Sequence, residues 1–255
     1  MLKFYSFIAF KQILNKIKMK RLLVLIVLVS SFQLNAQTNA ELIKHYEAFY
    51  KQMKKQGDVQ GIINAMTHLN VLSPSQERLD TLGYIYMSEG QYNQALNTIG
   101  VDQVVNDSDI AIQVKAVSLK SLGQPKLAIG FFDEMFKRNP NAHIAYELAE
   151  LNLQLKNLAE AEKHITYGLA NSKDDMTKTF YETQTPYKVP LKSAFMYLKA
   201  LVTYNKDTKA NIDAAVDILD AALKTAPNFN LIQLSKNELL RQKQALQAEA
   251  AQPKN

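Results

Sequence analysis

The residues whose types could do chemistry are few, and their spacing does not suit it. The four histidines, His45, His68, His143 and His164, show none of the short spacings, such as H-E-x-x-H, that set two imidazoles on one helix face around a metal. Glu147 with Glu150, and Glu160 with Glu162, pair carboxylates, but on helices such pairs form solvated faces. Asn205, Asp207, Asn211 and Asp213 faintly trace a calcium loop. Lys209 stands at a ligand position, Ala210 replaces the turn glycine and Val216 replaces the closing glutamate, so that reading is discarded. No glycine-rich phosphate loop is present. The absence of cysteine excludes disulfides, thiolate metal sites, a cysteine nucleophile and lipidation at an N-terminal cysteine. The expectation is a chain that is not an enzyme and that needs neither cofactor nor metal.

The charge balance misleads. The whole chain carries a net +6. Lys3, Lys11, Lys16, Lys18, Lys20 and Arg21 all lie within residues 1–36, which hold no acidic residue. These six account for the entire excess, and residues 37–255 are neutral. A neutral remainder argues against nucleic acid as a partner, since that binding is dominated by basic contacts to phosphate. Met19-Lys20-Arg21 followed by LLVLIVLVSSF reads as a secretory signal, with a short basic end and a short apolar run. The run is short for a spanning helix, which needs about 20 residues, and this favours cleavage over an anchor. Ala36 before Gln37 supplies the cleavage site, and the odd preface of residues 1–18 favours Met19 over Met1 as the start. The mature chain is expected outside the cytoplasm, in a bacterial periplasm or envelope or secreted. It would meet a membrane only through this leader.

The elements behind these residues repeat. Gly90 and Ala95 have counterparts 33 residues back, at Gly57 and Ile62, and 33 residues forward, at Gly123 and Ala128. One further step reaches Lys156 and Ala161. A fixed period in this range means stacked supersecondary units. Within each half-unit, apolar residues recur at spacings of three and four, which is helical: Leu79, Leu82 and Tyr86, or Ala145, Leu148 and Ala149. Glycine between the halves allows the turn, and Pro74 or Pro140 stops the second helix. The period breaks between Asn171 and Ser193, where Pro186 and Pro190 forbid one continuous helix and Phe180, Tyr181 and Tyr187 make the segment too aromatic for a plain linker. It resumes at Ala194.

Leu82-Gly83, Tyr86, Gly90, Tyr92 and Ala95 in one unit, and Ala128, Phe132 and Pro140 in the next, resemble the tetratricopeptide repeat family. The resemblance covers residues 43–228. It implies an all-α, right-handed α–α superhelix with a C-terminal capping helix. Its parts are a leader at 1–36, four helix pairs over 43–175, an insertion at 176–193, a fifth pair at 194–228, a capping helix at 229–248 and a tail at 249–255. Asp102, Asp107, Lys115 and Asn152 depart from the family pattern. The resemblance also implies that certain first-helix positions face a concave groove. Among these Lys51, Tyr84, Met87, Val117, Lys120 and Tyr146 are the candidate partner-binding residues. The set of Lys, Asn and Arg that clamps a peptide carboxylate in some members is missing.

Three functions compete on these grounds. The first is an exported scaffold that binds a protein or peptide through its groove. The second is an envelope component that binds carbohydrate or nutrient, a role that usually comes with a lipidated cysteine and more aromatic residues. The third is an enzyme using the insertion as a lid, and no nucleophile or metal set supports it. The first is the expectation.

Overall fold

The computed structural model describes residues 38–102 and 106–250. The leader expected at 1–36 and the last residues of the tail lie outside them. The chain divides into two compact units, one ending at Ser75 and one beginning at Gln76. The N-terminal unit holds α1 (Asn39–Gln56) and α2 (Val59–Leu72). The C-terminal unit holds α3 (Gln76–Ser88), α4 (Tyr92–Ile99), α5 (Asp109–Ser121), α6 (Pro125–Arg138), α7 (Ala142–Gln154) and α8 (Leu158–Asn171). A hairpin of β1 (Thr177–Phe180) and β2 (Tyr187–Pro190) follows. Then come α9 (Leu191–Lys206), α10 (Ile212–Thr225) and α11 (Asn230–Ala250).

The 33-residue register is a register of turns. Gly57, Gly90 and Gly123 have φ of 70°, 72° and 70°, the left-handed conformation that ends a helix and reverses the chain. Lys156 adopts the same conformation at φ 62° with a side chain in place. Helix starts are written locally as well. Asp58, Ser108 and Asn141 each accept a hydrogen bond from the backbone N–H three residues on, and Pro125 occupies the first turn of α6. The alanines five residues past each turn sit where paired helices cross, with Ala95, Ala128 and Ala161 all fully buried. Ile62, at the same register in α2, is only half-buried. The crossing of α3 and α4 is close: a Cβ on Gly83 would lie 2.8 Å from Ile99 Cγ2.

Two departures from the repeat pattern, Lys115 and Asp107, compensate one another, and a third, Asp102, contributes only its main-chain carbonyl. Lys115, 1% exposed in α5, donates from Nζ to Asp107 Oδ2 and to the carbonyl oxygen of Asp102, both at 2.7 Å. The buried ammonium therefore has a carboxylate and a carbonyl in the connection that leads into its own helix. Asn152, the fourth departure, donates to the Leu148 carbonyl oxygen at 2.9 Å within α7 and accepts from Asn157 Nδ2 at 3.5 Å just beyond it.

The insertion is a hairpin, so the described residues are all-α apart from this one element. Lys178 pairs with Val189, and Phe180 with Tyr187. Cross-strand partners share a face, so these four side chains point one way and Thr177, Thr179 and Lys188 the other. The Leu191 N–H donates to the Met176 carbonyl oxygen at 2.8 Å and closes the base. The fifth pair therefore starts at Leu191 rather than Ala194. Pro190 at the strand end needs no N–H for a ladder and leads directly into α9. The last helix runs from Asn230 to Ala250, slightly later than the 229–248 read from the sequence.

Candidate functional site

Within the C-terminal unit α3, α5, α7 and α9 are the first helices of successive pairs. Tyr84 on α3 is 42% exposed, and Met87 one turn later is half-buried. On α5, Ile110 is 41% exposed and Val117 is half-buried. α3 and α5 pack against each other. Four of the apolar or aromatic positions on these two helices therefore keep solvent access. Lys51 is exposed on α1, in the N-terminal unit.

Lys120 and Tyr146 differ from the expectation of an open groove. Lys120 donates to both Glu147 and Glu150 of α7. Burial lowers its pKa, but the two carboxylates outweigh this and hold it above the usual lysine value. Its charge is engaged within the unit. Tyr146 is 1% exposed. The hairpin covers it: Lys178 Nζ stands 4.7 Å from its ring centroid and reaches Glu147 Oε1 at 2.5 Å. On another side the Phe195 ring meets it edge-on at 5.4 Å. Tyr146 is thus a packed residue beneath the insertion, and the spacing that placed it toward a groove carried no information about what lies on top.

The charges form a chain: Lys178, Glu147, Lys120, Glu150. Burial pushes the Glu147 carboxyl up, but Lys178 and Lys120 overcome it and bring the group below the usual carboxylate range. Burial, followed by Glu150 and Glu147, pushes the Tyr146 hydroxyl well above its ordinary value, so it stays a neutral donor. That hydroxyl is buried and has no hydrogen-bond partner.

Sequence reasoning missed Lys178, and it read Glu147 with Glu150 as a solvated face, whereas Glu147 pairs with Lys120 and Lys178 in the folded unit. The signal for Lys178 lay in the alternation of Lys178-Thr179-Phe180 and Tyr187-Lys188-Val189, which was read only as aromatic content. Among the described residues, no group of three or more His, Cys, Asp or Glu is placed to hold a metal ion.

No family model matches the sequence, and no curated protein matches it. Solved structures do. A tetratricopeptide repeat protein from Parabacteroides merdae is 15% identical, with a TM-score of 0.58 over 80% of this chain and 75% of that one. YrrB, described as a TPR protein with an unusual peptide-binding site, is 14% identical, with a TM-score of 0.59 over 80% of this chain and all of its own. The MamA protein is 19% identical, with a TM-score of 0.52 over 73% of this chain and 92% of its own. At these identities the likeness establishes the fold. The chain is a helical-repeat array with the tetratricopeptide fold.

Proposed function

We propose that this chain is an exported, non-catalytic scaffold that binds a protein or peptide through the first-helix face of its repeats. The observation that carries the reading is the exposure of Tyr84 and Ile110, two large apolar side chains on the first helices of adjoining pairs. Stacked arrays present their first helices as an extended binding surface. Tyrosine offers a large apolar body with a polar tip, and methionine repacks readily around different partners. Tyr84, Met87, Ile110 and Val117 are side chains of the kind such a surface needs. The neighbour described as having a peptide-binding site supports the same reading.

The engaged state of Lys120 bears on the partner's chemistry. With two carboxylates on its ammonium, it adds little attraction for an acidic ligand, and apolar contact is left to supply the affinity. Export rests on the basic and apolar run ending at Ala36. No described helix is long and apolar enough to cross a membrane. The test is recovery of partners from an envelope fraction on immobilised wild type and Tyr84→Ala, together with N-terminal sequencing of the exported protein. The reading expects a partner that Tyr84→Ala fails to hold, and an N-terminus at Gln37. A partner held equally by both proteins would move the site elsewhere, and an intact leader in a membrane pellet would refute processing.

A further inference from the structure

The hairpin lies on Tyr146, which by helix position belongs to the proposed binding face. Its inner side chains rest on α7 and on Phe229, which α9 supports in turn. Lys178 stands over Tyr146 and pairs with Glu147 on α7. Phe180 packs on Phe229, just ahead of α11, with ring centroids 4.7 Å apart. Tyr197 of α9 meets the same Phe229 ring at 5.5 Å. Between them these contacts present an acidic, aromatic slot for a lysine and an aromatic slot for a phenylalanine, set two residues apart on an extended strand.

The strand fills this surface without fully satisfying it. The Tyr146 hydroxyl is buried and lacks a partner. A buried donor left unpaired is a standing cost. The element itself is also slight. Each strand has four residues, and a two-stranded hairpin is at best marginal without the surface beneath it. Its outer face is polar, and Tyr181 at the tip is 75% exposed.

We propose that the surface from Tyr146 to Phe229 is a peptide site which this chain fills in cis with its own hairpin. A partner presenting an extended segment with a lysine two residues ahead of an aromatic residue binds there by displacing it. The site is distinct from the exposed strip at Tyr84 and Ile110. It rests on the scaffold reading only for the existence of a partner. The test uses a peptide of this chain's own sequence, so its failure leaves that reading standing.

The probe is a synthetic peptide spanning residues 175–183, titrated into full-length wild type and into the double variant Lys178→Ala/Phe180→Ala, with helicity monitored by circular dichroism. Weakening the tethered competitor raises the fraction of open site, so the variant is expected to bind the peptide about tenfold more tightly than wild type. Adding Glu147→Gln to the double variant is expected to lose most of that gain. A double variant that keeps wild-type helicity and binds no better than wild type overturns the proposal, and the hairpin is then a fixed wall. If the double variant does not fold, hydrogen exchange of the wild type decides. Hairpin amides exchanging about tenfold faster than those of α9 support displacement by local opening, and equal rates overturn it.

Discussion

Lys156 is the clearest residue-scale consequence of the repeat. Glycine fills the three equivalent turns without strain, whereas a side chain at φ 62° crowds its own carbonyl. Lys156→Gly should raise stability by about 0.5–1 kcal/mol, the left-handed penalty less the flexibility that glycine adds to the unfolded chain. Urea unfolding checks it: the midpoint should rise at constant slope, and a fall would mean that the lysine side chain contributes more than its backbone costs. Lys115 carries a larger effect. Removing one member of a buried ion pair is strongly destabilising, and Lys115→Met should cost roughly 3 kcal/mol by the same measurement. His164 sets a pH dependence. Burial lowers its pKa, with Asp133 opposing and Lys163 reinforcing. The unfolded imidazole, near 6.5, therefore takes up a proton more readily than the folded one, and stability present above about pH 6.5 is lost as pH falls through the folded value. Burial raises the Asp133 carboxyl, whose contribution has the opposite sign. The difference between wild type and His164→Gln isolates the histidine. Melting curves from pH 7 to pH 5 should fall less steeply in the variant, and parallel curves would contradict the assignment.

At the scale of elements, the helix pairs were legible because their rules are local. Turn glycines, crossing alanines and capping side chains all act within a few residues of their position. Ala95 is fully buried where α4 crosses α3, and Ala95→Phe should overpack that crossing and cost about 1–3 kcal/mol. An unchanged melting temperature would refute the register. The pairing of Lys115 with Asp107 was half legible: both residues stood out as departures, but only the folded connection shows that they answer one another. The hairpin was not legible as strands. Its eight ladder residues are too few for a strong period, and its two prolines masked the alternation.

At the scale of the molecule, the tetratricopeptide fold followed from period and turn chemistry, whereas the exposure of the candidate groove positions followed only in part. Tyr84 is exposed as its helix position implies. Tyr146 is not, because Lys178, 32 residues further along the chain, closes over it. A contact of that separation has no trace in local spacing. The central claim is that affinity resides in the exposed apolar positions of the first helices rather than in surface lysines. Interface energy concentrates in a few buried anchors, whereas rim charges mostly govern association rate and salt dependence. The most direct measurement is titration calorimetry of the recovered partner against wild type, Tyr84→Ala and Lys51→Ala at physiological salt. Tyr84→Ala should weaken binding by about tenfold or more, while Lys51→Ala should change it by less than about threefold. Full affinity in Tyr84→Ala with a marked loss in Lys51→Ala would contradict the account.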